Sequence, residues 1–229
     1  MNTNGDTTLR KVDNLDEISD GRIYGLNDMV RADCQDCQGC SDCCQAMGQS
    51  ILLDPLDIFR LGKHAGLDFA QLLADKIELN VVDGIILPNL KMSGTKEQCS
   101  FLNEEGRCTI HAFRPGICRL FPLGRCYDEH SFQYFLQVKE CSKKNRTKVK
   151  VSKWIDTPDL KRNQQYILDW HNFLKAVENL LQGKQNEELH KTINMYILNN
   201  FFVKPYDYEG DFYSEFSQRL LEARTSFSL

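Results

Sequence analysis

The segment over 34–44 holds the residues best suited to chemistry. Its sequence, CQDCQGCSDCC, places five thiols within eleven residues, four of them spaced three apart. A C-x2-C spacing lets one tight turn direct two sulfurs at one metal ion, as in zinc knuckles and iron–sulfur loops. Polar residues separate these thiols, so the segment has no apolar face that would bury them as small hydrophobic side chains. The spacing therefore indicates metal ligation or thiol redox chemistry.

The neighbouring thiols Cys43 and Cys44 limit how this segment can bind metal. Adjacent side chains diverge in a regular strand or helix, so we expect that one tetrahedral ion cannot easily hold both sulfurs. The segment would then share its ligands between two metal centres, or serve one multi-iron cluster with thiols to spare. A disulfide framework is disfavoured, because adjacent cysteines pair only with strain.

Cysteines later in the chain must supply further ligands. The chain has ten cysteines, which is enough for two four-thiolate sites. Cys99 and Cys108 flank a turn and could face the same way, whereas Cys118 and Cys141 come from separate segments. His111 could add an imidazole, although we favour an ordinary polar role for it.

Arginines accompany the later cysteines and could stabilise a negatively charged centre. Thiolates in excess of the metal charge leave a net negative charge, and nearby cations offset it while favouring the thiolate form. The arginines beside Cys108, Cys118 and Cys126 are Arg107, Arg114, Arg119 and Arg125. We predict Arg114 and Arg119 as cofactor-binding residues, with surface salt bridges as the alternative.

Capping residues and turn signals place short elements around the thiols. Asp54-Pro55 and Asp68 predict the starts of two successive helices, the first ending near Gly66. The sequence VVDGIILP over 81–88 predicts a hairpin, because Asp-Gly between β-branched runs favours a tight turn.

Further strands and helices follow along the chain. The segments 99–110 and 131–138 resemble short strands, and the basic run over 143–153 is typical of a solvated loop or edge strand rather than a phosphate-binding patch. From Thr157 onward, aromatic side chains at helical spacing predict three helices whose stripes form a core.

These elements predict an α+β fold: a small cysteine-rich, metal-centred domain with short hairpins and helices, plus an α-helical C-terminal portion. We expect an irregular N-terminal arm over 1–30, the metal-binding domain over 31–150, and a helical region over 151–229 packed on it. The helical region could bind a protein partner.

Composition excludes several function classes. The 229 residues are 41% hydrophobic and 26% charged, which is ordinary for a globular protein long enough to bury a core without disulfides. The net charge is −4, so we do not expect the molecule as a whole to be attracted to nucleic acid or anionic lipid. The first twenty residues lack the apolar run of a secretory signal, and no stretch is apolar enough to span a bilayer. We therefore expect a cytoplasmic protein with reduced thiols.

Several linked motifs resemble the YkgJ-type cysteine-cluster family, which is described by zinc or iron chelation. The family signature CxxCxxCC is matched by Cys37, Cys40, Cys43 and Cys44. The later block is matched by CSFL over 99–102, GRCTI over 106–110 and RPGICRLFP over 114–122, so the resemblance covers roughly residues 34–141.

The resemblance implies a set of thiolate ligands, with Cys34 and Cys126 as extras beyond the signature. The implied ligands are Cys37, Cys40, Cys43, Cys44, Cys99, Cys108, Cys118 and Cys141. The cluster is also similar to one in flagellin lysine methylases, where an iron–sulfur centre and S-adenosylmethionine are associated with methylation. This chain shows no motif for that cofactor, so we do not infer methylase activity.

The sequence thus predicts a metal-binding cysteine-cluster protein that holds an iron–sulfur cluster or zinc through cysteine thiolates. One alternative is an iron–sulfur oxidoreductase or protein-modifying enzyme, in which spare thiols and arginines line a reactive pocket. Another is a zinc-stabilised interaction scaffold, because a saturated four-thiolate zinc site is structural. Metal storage or delivery is a further alternative, suggested by the extra thiols.

Overall fold

The computed structural model describes residues 17–34 and 40–229, and it has the predicted α+β architecture. Its strands are β1 (Ser19–Tyr24), β2 (Met29–Asp33), β3 (Ile77–Val82), β4 (Ile85–Leu90), β5 (Met92–Ser93), β6 (Gln98–Cys99), β7 (Leu123–Tyr127), β8 (Phe132–Gln137) and β9 (Thr147–Lys150). Its helices are α1 (Pro55–Ala65), α2 (Phe69–Asp75), α3 (Gly116–Leu120), α4 (Val151–Ile155), α5 (Leu160–Leu181), α6 (Glu187–Ile197) and α7 (Phe212–Phe227). A π-helical turn, Leu198–Val203, extends α6.

The two helix starts predicted from Asp54 and Asp68 are confirmed. The side chain of each aspartate accepts a hydrogen bond from the backbone N–H three residues later. The side chain of that third residue in turn accepts a hydrogen bond from the backbone N–H of the aspartate. Pro55 occupies the first turn of α1, where its missing N–H costs nothing. Gly66 ends α1 in the left-handed conformation that glycine adopts without strain.

The predicted hairpin is also confirmed as the β3–β4 pair. Its strands pair in antiparallel register from Ile77 with Leu90 to Val82 with Ile85. Both turn residues, Asp83 and Gly84, have positive φ angles of 50° and 81°, as a two-residue turn between twisted strands requires.

The N-terminal segment departs from the irregular arm expected over 1–30. Residues 1–16 lie outside the described part of the chain, but β1 pairs with β8 and β2 pairs with β9, both antiparallel. Val30 and Ala32 alternate inward and are almost fully buried, which is a period-two pattern too short to stand out in the sequence. The basic run over 143–153 includes β9, so its strand lies beside β2.

Two hydrophobic cores surround the cysteine region. The larger core joins Leu53 and Phe101 to helical residues such as Phe173 and Phe201. The smaller one packs the β1-β8-β7 sheet, with Leu123, against β2 and α4. Because the larger core draws on both sides of residue 150, the helical region packs directly on the cysteine-rich part, and the domain boundary stays a prediction. Among the described residues, no helix is long and apolar enough to cross a membrane.

Candidate metal centre

A short 3₁₀ turn, Asp42–Cys44, presents two of the thiols. The N–H of Cys44 donates to the Ser41 carbonyl at 2.9 Å, which closes the turn. The next residues attach it to the strand that carries Cys99, because Ala46 N–H donates to the Glu97 carbonyl at 2.8 Å. Cys43 and Cys44 are thereby held beside β6.

Cys99 and Cys108 lie at either side of a loop that folds back on itself. Cys99 pairs with Met92 in the β5–β6 ladder, and Cys108 forms an isolated bridge with Leu102. The turn between them is closed by a 2.9 Å bond from Asn103 N–H to the Arg107 carbonyl. Of the two strand-like pieces expected over 99–110, Cys99 lies in β6, and the two sides of the loop are joined by the antiparallel Leu102–Cys108 bridge and by a bond from Thr109 N–H to the Phe101 carbonyl.

Cys118 belongs to α3, whose position depends on a buried carboxylate. Asp57 is 3% exposed, and its Oδ1 accepts a 2.8 Å hydrogen bond from the Gly116 N–H at the start of α3. Sequence reasoning did not identify Asp57 as a residue that positions the site. Its signal was the D-x-x-D capping pair over 54–57, which explains one of its bonds but not the contact with α3.

These segments enclose a cavity of about 430 Å³ between the two cores. The thiols on its wall are Cys40, Cys43, Cys44, Cys99, Cys108 and Cys118. Most of the remaining wall is apolar, with Ile51 and Leu90 on one side and Leu123, Phe135 and Trp154 on the other. The polar residues that line it include Arg107, His111 and Arg114. The cavity thus combines soft sulfur donors with a largely apolar wall.

The charge state of the thiols follows from their mutual proximity. A hydrogen bond with Cys44 lowers the pKa of Cys43 to about 7, and the Arg114 charge acts in the same direction. The same bond, together with burial, raises the pKa of Cys44. Burial is the main cause of the raised pKa values of Cys99, Cys108 and Cys118. Among these five thiols, Cys43 is therefore the first to ionise when no metal is bound.

The Cys43–Cys44 contact differs from the divergence expected of adjacent side chains. The two residues lie in a single 3₁₀ turn, where the geometry of a regular strand or α-helix does not apply. Their thiols hydrogen bond to each other and line the same cavity. The two sulfurs can consequently serve one centre.

The two predicted cofactor-binding arginines occupy different environments. Arg114 lines the cavity, and its guanidinium also donates to the His111 carbonyl at 2.9 Å. Arg119 is 8% exposed, and it donates to the carbonyls of Ala112 and Asp156. Arg114 thus lies on the wall of the large cavity, whereas Arg119 joins the segments that carry Ala112 and Asp156.

The remaining cysteines separate from the main group. Cys141 lines a second, much smaller cavity together with Cys34, Cys40 and Cys43. Cys126 lies in β7 and lines neither cavity. Cys37 lies outside the described residues. Within residues 17–34 and 40–229, no three His, Cys, Asp or Glu side chains are already grouped so that they could hold one metal ion.

A family model for the CxxCxxCC domain, described as a putative zinc- or iron-chelating domain, matches residues 36–152. The chain belongs to this family. The matched region of the CxxCxxCC family contains every thiol on the wall of the large cavity, together with Arg114 and the Asp57 carboxylate that positions α3. It ends within α4, before the long helices begin.

No curated protein and no solved structure matches the chain. What the comparisons indicate for this chain is therefore the described property of its family, the chelation of zinc or iron.

Proposed function

We propose that the large cavity holds an iron–sulfur cluster through cysteine thiolates. The observation that carries this proposal is the convergence of thiols from separate segments on one cavity. The proposed ligands are drawn from Cys43, Cys44, Cys99, Cys108 and Cys118. Such a cluster would supply one-electron redox chemistry or a Lewis-acidic iron.

The donor set fits a cluster better than a single zinc ion. Five thiols face the cavity besides Cys40, and a structural zinc site is saturated by four. A volume of about 430 Å³ also exceeds what one ion with its ligands would fill. The apolar wall would keep water from the bridging sulfides, a role that the surround of a metal site commonly has.

Arginine side chains provide the charge balance that thiolate ligation needs. Several thiolates around one cluster give a net negative charge, and desolvation makes such a charge costly without a nearby cation. Arg107 and Arg114 both line the cavity. We infer that they stabilise the ligated form and raise the reduction potential of the cluster.

The proposal requires a compartment in which thiols stay reduced, such as the cytosol predicted from the sequence. A protein partner that binds through the helical region stays a prediction. A reducing compartment and a redox-capable centre are compatible with electron transfer or protein modification. The competing hypothesis is an interaction scaffold that zinc stabilises.

Anaerobic purification followed by visible and EPR spectroscopy tests the proposal. We expect a brown protein with roughly four irons and matching sulfide per chain, as a cubane cluster requires. Cys99→Ser should lose most of the iron, whereas Cys126→Ser, altered outside both cavities, should keep it. A colourless protein with zinc would refute the cluster but keep a thiolate centre, and a metal-free protein would refute both.

A further inference from the structure

We infer a second, smaller metal site for a single thiophilic ion such as Zn²⁺, formed by Cys34, Cys40 and Cys141. The site is separate from the proposed cluster, and it assigns Cys34, a thiol outside the family signature. It rests on the smaller cavity, on the contacts that bring three chain segments to it, and on the ligand chemistry of its wall.

Strand pairing brings Cys34 to this cavity. Cys34 directly follows β2, which pairs with β9 through Asp33 and Thr147. A side-chain bond reinforces that last pair, because the Thr147 hydroxyl donates to Asp33 Oδ2 at 3.1 Å. The end of β2 is therefore fixed against the segment that follows Cys141.

A second contact brings Cys141 to the turn that carries the signature cysteines. The neighbouring Ser142 hydroxyl donates to the carboxylate of Asp42, the first residue of the 3₁₀ turn. Cys40 lies just before that turn. Two independent contacts thus hold the segment around Cys141 beside the two segments that carry Cys34 and Cys40.

The size of the cavity favours one ion over a cluster. Its volume is about 20 Å³, compared with about 430 Å³ for the larger cavity. A cavity of roughly 10–15 Å³ already accommodates one water molecule, so this space suits one ion and excludes a cubane.

The wall also offers the chemistry that zinc prefers. Four thiols line it, of which Cys34, Cys40 and Cys141 are the proposed ligands, and Glu140 can add a carboxylate oxygen as a fourth ligand. Lys143 lines the same cavity and would offset the charge of the thiolates. The sulfurs do not yet meet at one point, so binding requires rotation of cysteine side chains between their staggered rotamers.

Metal analysis of the full chain, purified anaerobically from zinc-supplemented medium, tests the inference. The wild-type protein should hold about one zinc per chain in addition to the metal of the large cavity. The Cys34→Ser/Cys141→Ser protein should lose that zinc, with iron content and visible spectrum unchanged. Cys126→Ser is the matched control and should keep both metals.

Cobalt titration covers the case in which the double variant does not fold. Each single variant, Cys34→Ser and Cys141→Ser, should lose at least tenfold in Co²⁺ affinity and most of the intense sulfur-to-cobalt absorption. Unchanged zinc content and cobalt spectra in folded variants would overturn the second site. A wild-type protein that contains no iron would instead refute the proposed cluster, whatever its zinc content. The two failures are therefore distinguishable.

Discussion

Gly116 donates its backbone N–H to Asp57 across a 2.8 Å hydrogen bond, and this contact joins the helix of Cys118 to α1. Asp57 also accepts from the Asp54 N–H at 3.2 Å, so one buried carboxylate completes a helix cap and positions a cavity-lining thiol. The local stability of α1 and the geometry of the proposed site therefore depend on the same side chain.

Replacing this carboxylate should affect stability and metal binding together. Asp57→Ala removes the acceptor of two backbone donors, and each buried donor without a partner costs about 1–3 kcal/mol. We expect a lower free energy of unfolding in urea and a reduced metal content. Asp75→Ala is the control, because that carboxylate is exposed at the end of α2 and forms an ion pair with the neighbouring Lys76. Equal stability of the two variants would contradict the positioning role.

The thiol of Cys43 should be more reactive in the metal-free protein than the thiols of Cys44, Cys99, Cys108 and Cys118, whose pKa values are raised. Its pKa of about 7 lies below the ordinary value of 9.0, so the thiolate fraction at neutral pH is larger than that of its neighbours. Alkylation by iodoacetamide, followed by mass spectrometry, should modify Cys43 before those four thiols, with a rate that rises through pH 7.

The neighbouring thiol provides the comparison for this measurement. Cys44→Ala removes the hydrogen bond that is the largest cause of the lowered pKa of Cys43. The midpoint of the alkylation rate should then move to higher pH, and the rate at pH 7 should fall several-fold. A midpoint that stays near pH 7 would show that another group stabilises the thiolate.

Local signals in the sequence were sufficient for elements whose stability is local. The Asp54-Pro55 cap, the Asp68 cap and the Asp83-Gly84 turn each depend on residues within a few positions, and each is confirmed. The pairing of β1 with β8 joins residues more than a hundred positions apart, and the sequence of neither strand indicates which strand it pairs with. Tertiary packing, rather than propensity, decides such strands.

The type of ligand in the candidate site could be predicted from the sequence, but the distribution of the cysteines over two cavities could not. The C-x2-C spacing indicates thiolate ligation from the sequence alone. Cys141 lines a different cavity from Cys99 and Cys108, and the Ser142–Asp42 contact beside it joins residues a hundred positions apart, which no spacing rule contains. Likewise, Arg114 and Arg119 have the same chemistry in the sequence, and only the fold places Arg114 on the cavity wall and Arg119, in α3, against the Ala112 and Asp156 carbonyls.

Those two arginines should give different results when each is replaced by methionine. Arg119→Met leaves the Ala112 and Asp156 carbonyls without their charged donor, which should cost about 1.5–3 kcal/mol in the free energy of unfolding. Arg114→Met should change stability less. It should instead raise the alkylation midpoint of Cys43, because the Arg114 charge helps to lower that pKa.

Urea unfolding and the alkylation profile, measured on both variants, separate the two roles. The expected pattern is a large stability loss without a midpoint shift for Arg119→Met, and the reverse for Arg114→Met. If Arg119→Met shifted the Cys43 midpoint as strongly as Arg114→Met, its guanidinium would belong to the site after all.

The cavity wall should be sensitive to a single added methyl group at Gly124. Gly124 faces Phe135 across the β7–β8 ladder, and a Cβ atom there would lie 2.3 Å from the Cζ atom of the Phe135 ring. That ring is 8% exposed and lines the thiol cavity, so it can move only by disturbing the wall. Gly124→Ala should destabilise the protein by about 1–3 kcal/mol, the usual cost of overpacking.

Gly25→Ala is the matched control, because a Cβ atom at that position meets nothing closer than 3.4 Å. Thermal unfolding of both variants, with metal content measured on the same samples, checks the prediction. We expect only Gly124→Ala to lose both stability and bound metal, because its ring displacement narrows the cavity. Full metal retention in a destabilised Gly124→Ala protein would mean that the Phe135 side of the wall does not restrict the centre.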